Sequence, residues 1–445
     1  MSLVMTKRSL EVFAKKPSSG ELTAKIFFII FALFLYRLGT YIPLPGVNTL
    51  AVSQIASRQS GGILGMFNMF TGGALGRMSI FALNIMPYIT ASIIMQLMAV
   101  ISGDISALKK DGEAGRKKIN QYTKYLTVVL ALSQGYGIAV GIESMNSATL
   151  EVVLNPGLNF RIIASLSLLG GTMFVVWLGD QITSRNLGNG SSLIIFTGIV
   201  AGLPSALASL FEMGRTGAIS TFFILAVIVM ASGLIFGIIF IERAQRKITV
   251  QYPKRQVGNK VYAGDSTHLP LKLNTSGVIP PIFASSILLF PMTIVNFMST
   301  SEPGAWKQFI AMNLAHGKPL YIVLYVVMIF FFGFFYTSVV FNPDETAENL
   351  CKNGAIVLGR RPGKHTAEYL DYVLTRLTVI GGIYLSIVCI IPEILMTSYA
   401  VPFYLGGTSL LIVVNVVMDL FTRIQTYFLT SQYHYLLKKN KIGIH

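Results

Sequence analysis

Apolar positions in this chain come in long unbroken runs rather than in alternation or along one helical stripe. Runs long enough to cross a hydrocarbon core, which takes about 20 residues, lie at 24–42, 80–101, 123–142, 160–179, 192–211, 219–241, 277–298, 319–341, 377–397 and 403–422. The pattern predicts ten transmembrane helices. One further apolar piece, Ile63 to Thr71, is far too short to cross. Gly72, Gly73, Gly76 and Arg77 separate it from the 80–101 run, a break that would expose amides and a charge to lipid unless protein or a water-filled cavity surrounds it. A half-inserted segment within the protein is therefore expected. Two roles fit it equally: a re-entrant hairpin that packs, or a movable stopper in a pore.

Composition agrees with the pattern: 53% of the 445 residues are hydrophobic and only 12% charged, against roughly 25% charged in soluble globular domains. This is a polytopic membrane protein. Cys351 in a polar loop and Cys389 in an apolar run suggest neither a disulfide framework nor a metal site, and no cofactor is expected. Lys7, Arg8, Lys15 and Lys16 ahead of the first run imitate a signal peptide, but the run exceeds an h-region of about 7–15 residues and reads as a retained span.

The basic residues orient the spans. Of 35 Lys and Arg, 28 fall in the N-terminal tail and the loops and tail at 102–124, 180–190, 242–276, 342–376 and 422–445. The positive-inside rule then makes both termini and these loops cytoplasmic. Topology alone needs fewer charges than the loops carry. The stretch Glu242 to Tyr262 (ERAQRKITVQYPKRQVGNKVY) alternates enough for a β-hairpin, and Gly359 to Leu370 reads GRRPGKHTAEYL. Such loops suit a partner bearing phosphates or acidic patches, RNA or an acidic protein; contact with anionic phospholipids is the alternative. Thr6 to Lys16 is weakly amphipathic and suits the membrane surface.

Pro204 to Ile219 reads as an outer loop dividing ten spans into five and five. Halves of odd span number must be oppositely oriented, as in inverted-repeat proteins, and a hinge there lets them part like a clamshell. Gly198/Gly202 and Gly233/Gly237 predict close helix contacts. No His-Glu-x-x-His helix, Ser/His pair or phosphate loop is present, so an enzyme is not expected. Arg37, Glu143, Asp180, Glu393 and Asp419 sit near span ends rather than forming a midplane chain of carboxylates, which counts against an ion-coupled transporter. The interior offers isoleucines beside prolines instead: Ile85 and Ile89 around Pro87, and Ile282 after Pro280 and Pro281. Plain packing accounts for these, and so does a hydrophobic constriction that closes a pore by dewetting.

The runs MFNMFTGGAL, SIFALNIMPYITASIIMQL, DGEAGRKKINQYTKY, GTMFVVWLGDQIT, GNGSSLIIFTGIVAGLP, STHLPLKLN, GVIPPIFASSILLFP, FFYTSVVFNPDETAENL and VPFYLGGTSLLIVV, in this order between Ile26 and Lys439, closely resemble the SecY family, the channel subunits of the bacterial secretory translocon (SecY/Sec61-alpha). The resemblance implies an all-α bundle of ten helices in two inverted five-helix halves around an hourglass pore in the bacterial inner membrane, crossed by unfolded secretory chains and opening sideways to release apolar segments into lipid. It implies a cytoplasmic segment 1–23, an N-terminal half 24–211 with a plug at about 63–77, a hinge 204–219, a C-terminal half 219–422 and a cytoplasmic tail 423–445. The plug then includes Ile63, Met66, Phe67, Asn68, Phe70, Gly72, Gly73 and Arg77. The constriction ring maps onto Ile85, Ile89, Ser191, Ile195, Ile282 and Ile412, with Ser191 departing from the aliphatic pattern. Asn84 stands where glycine is common, its amide expected to bond into gate or plug. A lateral gate forms between spans 80–101 and 123–142 on one side and 277–298 and 319–341 on the other, with Thr90, Ser92, Gln96, Ser285 and Ser286 as candidates for hydrogen bonds across it. Arg246, Lys247, Lys254, Arg255, Lys260 and Arg361 match docking positions for the ribosome and the SecA ATPase; only Lys260 is basic where relatives often have two arginines. SecE and SecG complete a heterotrimer, with SecDF and YidC as further partners.

Overall fold

The computed structural model describes residues 19–49, 51–52, 68, 71–144, 151–217, 220–252, 255–257, 260–262, 266–297, 313–314, 318–399 and 406–442. Twelve helices and five strands follow in chain order. They are α1 (Ser19–Gly39), α2 (Met86–Ile101), α3 (Gly103–Lys110), α4 (Gly112–Ser144), α5 (Leu158–Ser184), α6 (Gly190–Arg215) and α7 (Thr221–Arg243), then β1 (Gln245–Gln251), β2 (Arg255–Val257), β3 (Lys260–Tyr262), β4 (Ser266–Lys272), α8 (Ile279–Phe297), α9 (Pro319–Val340), α10 (Pro343–Lys352), β5 (Ile356–Val357), α11 (Lys364–Tyr399) and α12 (Gly407–Ile442). Each of the ten apolar runs falls on one helix. Eight are long and apolar enough to span by themselves among the described residues, and α2 with α3 forms a pair bent by 105°.

Local chemistry sets the helix starts. Asn189 Oδ1 accepts the Ser191 N–H at 3.1 Å, Ser220 Oγ accepts that of Phe223, and Asn342 Oδ1 accepts those of Asp344 and Glu345, each satisfying an amide that the first turn leaves without a partner. Pro343 at the first helical position and Asp344 and Glu345 in the first turn of α10 complete that start.

Two sequence expectations change. The run 80–101 is helical only from Met86, because Asn84 (φ 51°) takes the left-handed conformation that Asn tolerates, and Pro87 fits only the first turn of a helix. Sixteen helical residues rise about 24 Å, short of the roughly 30 Å core, and residues 71–85 make up the depth in turns. That irregular backbone is enclosed: Thr71, Ala74, Leu75, Ser79 and Phe81 to Ile85 are buried, and Ile80 N–H and Met78 C=O bond to Ile42 and Leu44. Tyr36, Phe81 and Phe174 stack beside it. The segment from Pro204, read as a loop, is helical through Arg215; Leu210 is buried there against Ile224, so packing overrides the proline.

The glycine contacts also lie elsewhere. No atom comes within 4 Å of a Cβ built at Gly202, Gly233 or Gly237, whereas one at Gly190 would lie 1.9 Å from the Gly179 carbonyl oxygen and one at Gly407 2.2 Å from that of Val388. The α5–α6 and α11–α12 crossings are therefore backbone to backbone. Gly190→Ala is expected to push α5 from α6 and cut accumulation in membranes severely, while Gly233→Ala leaves it unchanged; quantitative immunoblotting of membrane fractions checks both.

The halves, α1–α6 and α7–α12, meet along two lines: α6 against α7 and α12, and α8 against α2 and α4. On the loop side, β1 pairs antiparallel with β4 from Gln245↔Lys272 to Gln251↔Ser266, β2 pairs with β3 at the tip, and β5 joins β1 at Val250↔Val357. The expected hairpin thus extends to Lys272 and takes a strand from the second basic loop. Ile248, Val250, Leu271 and Val357 pack beneath it on Leu370, Leu374 and Leu377 of α11.

Candidate functional site: a closed apolar constriction between two halves

Five isoleucines from four helices line one small cavity: Ile85 and Ile89 at the start of α2, Ile195 on α6, Ile282 on α8 and Ile412 on α12, with Asn84, Met86 and Ser285. Its volume is about 10 Å³, at the lower limit of what one water molecule needs. Ser285 Oγ donates to the Ile282 carbonyl at 3.0 Å. Walls that are mainly aliphatic make this a narrow apolar constriction. Ser191 does not line it: it lies one turn before Ile195, its N–H held by Asn189.

Of the residues expected in the plug, Ile63, Met66, Phe67 and Phe70 lie outside the described residues. Asn68, Gly72, Gly73 and Arg77 meet in a tight turn. The Asn68 carbonyl accepts the Gly73 N–H at 2.7 Å and its Oδ1 accepts that of Gly76 at 2.6 Å. Gly72 (φ 65°) and Gly73 (φ 87°) need the left-handed freedom of glycine. The Arg37 guanidinium donates to the Gly72 carbonyl at 2.6 Å, and Arg37 and Arg77 both lie over the Tyr41 ring. Gly198 serves this turn: a Cβ on Gly72 would sit 3.0 Å from its Cα.

Among the described residues, the line where α8 and α9 meet α2 and α4 is closed mainly by carbon; one polar bond, from Lys109 Nζ on α3 to the Val339 carbonyl of α9 at 3.1 Å, lies at its end. Ile93 packs with Phe283 and Phe332, which meet edge to face at 5.6 Å. The polar candidates bond within their own helices: Thr90 donates to the Met86 carbonyl, Gln96 Nε2 donates to Ser92 Oγ while its Oε1 is buried without a partner, and Ser285 and Ser286 both donate to the Ile282 carbonyl. The expected bonds across the seam are absent for these groups because back-bonding one turn away is always within reach. The apolar partners Ile93 and Phe283 are four residues beyond Ile89 and Ile279, a helical spacing that does carry the signal.

Arg246 and Lys247 are exposed on β1, and Arg255 and Lys260 lie on the tip strands β2 and β3; Lys254 lies outside the described residues. Arg361 follows β5 and is exposed, while Arg360 lies over the Tyr369 ring. The pairing of β5 with β1 therefore joins the two basic loops, with Arg246 and Lys247 on the sheet and Arg361 in the segment that follows β5. Three of the charges near span ends are in ion pairs: Glu143 with Arg161 at 2.6 Å and Asp180 with Lys124 at 2.6 Å join α4 to α5, and Asp419 pairs with Arg423.

Among the described residues, no three His, Cys, Asp or Glu side chains could together hold a metal ion. Fold and geometry define a multi-span helical membrane protein in two halves around a closed apolar constriction. The family model described as SecY matches residues 79–421. The protein translocase subunit SecY of Rickettsia bellii is 59% identical over 97% of this chain and 99% of its own length, and that of Escherichia coli K12 is 51% identical over 97% of each. The chain belongs to the SecY family. Its fold matches the solved structure of a protein-conducting channel with a TM-score of 0.62 at 16% identity, covering 92% of this chain and 93% of that one. Sec61 in a canine ribosome–channel complex matches at 0.59 and 15%, covering 92% and 93%.

Proposed function

We propose that this chain is the pore subunit of a Sec translocon. It conducts unfolded secretory polypeptides across the bacterial inner membrane and releases transmembrane segments sideways into lipid. The observation that carries the reading is the meeting of Ile85, Ile89, Ile195, Ile282 and Ile412, from both halves, around one small, mainly apolar cavity. Aliphatic side chains make no sequence-specific contacts, so such a ring can close on itself at rest and seal around any passing chain. Ser191 belongs to its cytoplasmic approach. The segment about 63–77 is the plug, with Arg37 holding its outer turn; the seam between α2/α4 and α8/α9 is the lateral gate, and the α6–α7 turn is the hinge.

The termini and the β1–β4 sheet lie on the cytoplasmic side in this reading, which the excess of basic residues in those loops supports. Arg246, Lys247, Lys254, Arg255, Lys260 and Arg361 dock the ribosome or the SecA ATPase, which supply the driving force; the chain catalyses no covalent step. SecE and SecG complete the channel, with SecDF and YidC as accessory partners and anionic phospholipids around it. Reconstitution with SecE and SecG in vesicles, with SecA and ATP outside, tests this by import of an unfolded secretory chain, and absence of import contradicts it. Deleting residues 63–76 should leave import intact while idle vesicles leak small ions; vesicles as tight as wild type contradict the plug assignment.

A further inference from the structure

The cytoplasmic sheet and the helix that lines both cavity and seam are tied together by one polar knot. At the end of α7, Glu242 Oε1 accepts from Asn274 Nδ2 at 2.7 Å. The same nitrogen donates to the Gly277 carbonyl at 3.0 Å, and Ser276 Oγ donates to Asn274 Oδ1 at 3.1 Å. Asn274 and Ser276 are 3% and 6% exposed. The Leu273 N–H bonds the Ala244 carbonyl at 3.0 Å, carrying the β1–β4 ladder down to the knot. Gly381 of α11 closes one side, where a Cβ would stand 3.6 Å from the Asn274 Cα. Gly277 (φ 62°) then turns the chain into α8, whose first turns carry Ile282 of the cavity and Phe283 of the seam.

A polar group this well satisfied holds a backbone in one geometry, and this one leaves no slack between sheet and helix. Asn274 at once grips α7, its own turn and the entry to α8. We propose that Glu242 and Asn274 are positioning residues that form a rigid joint, through which load on the basic sheet moves α8 and parts the seam. The joint rests on the channel and docking reading above. Force on Arg246 or Lys247 travels along β1 and β4, which are locked in register, and residues 275–278 alone lie between the knot and α8. Without the bond to Glu242 that short connection flexes, and docking no longer reaches the gate.

The test places spin labels at Met98 on α2 and Ile287 on α8, both exposed, in the full channel complex with Cys351 and Cys389 replaced. Inter-label distances in lipid nanodiscs are measured without and with ribosomes, and ribosome affinity is measured in parallel. The wild-type channel should gain a wider population on docking. Asn274→Leu should bind ribosomes as tightly as wild type yet lose about tenfold of that population, the weight of one hydrogen bond to a charged group. Glu242→Gln keeps an acceptor and should keep the response. Asn274→Asp sets two carboxylates together and should uncouple the gate without loss of docking; adding Glu242→Gln restores a donor and an acceptor at that contact, though not the bond to the Gly277 carbonyl, and should recouple the gate in part. Full widening in Asn274→Leu, or no recoupling in the double variant, overturns the joint. A wild-type channel whose distances ignore bound ribosomes overturns the docking reading itself, and the joint with it.

Discussion

Ile412→Asn should make the idle channel leak. Ile412 is 2% exposed in the wall of a cavity that is at the limit of holding one water. An asparagine there is smaller and brings a buried polar group without a partner, which costs about 1–3 kcal/mol for as long as the site stays dry. Water entry relieves that cost, so the wet state gains roughly one to two orders of magnitude over the dry one. In planar bilayers, idle ion conductance per channel should rise at least about tenfold, while Ile412→Val should change it little. Because the opposing isoleucines still close around a passing chain, export should continue. Idle conductance equal to wild type would mean that the isoleucines pack but do not seal.

Charge reversal at Arg361 should separate docking from folding. Arg361 is exposed beside the sheet that also carries Arg246 and Lys247, and its contact within the chain is a backbone one, with its carbonyl accepting from Thr366 Oγ1. Arg361→Glu should therefore leave accumulation in membranes unchanged. Partner-driven export should fall by about tenfold, and the salt dependence of ribosome binding should weaken by about one unit of slope if a phosphate contact is lost. Equal loss of export and accumulation would point to misfolding, since a docking defect spares the folded channel. Salt slope is the sharper reading because it counts ions released at the contact.

The membrane-spanning plan was legible because it depends on run length alone: every predicted span falls on a helix. Strands in the Glu242–Tyr262 stretch were legible from alternation, but the long pairing runs from Gln245–Gln251 to Ser266–Lys272, beyond the expected hairpin. All five isoleucines that line the cavity were named by resemblance, and Ile85, Ile89 and Ile282 also by their place beside prolines; Ser191 is not part of the cavity lining, one turn of helix before Ile195. Where α2 begins could not be read, since it turns on the left-handed conformation of Asn84 and on Phe81 packing between Tyr36 and Phe174. Which glycines sit at crossings was hidden for the same reason: the fourfold spacing of Gly233 and Gly237 is local, while the approach of Gly190 to Gly179 is set by how two helices meet. The joining of β5 to β1 is a contact between loops a hundred residues apart in sequence, for which a short apolar pair such as Ile356–Val357 gives no local signal.

The central claim is that a polypeptide passes through the isoleucine constriction. The most direct measurement is site-specific photo-crosslinking from a stalled secretory chain to reactive residues placed at Ile85, Ile195, Ile282 and Ile412, in membranes containing SecE and SecA. Adducts at all four positions are the expected result, since these side chains line one cavity from four helices. Adducts confined to the basic cytoplasmic loops would show that the chain docks here and crosses elsewhere, and would contradict the assignment of the pore.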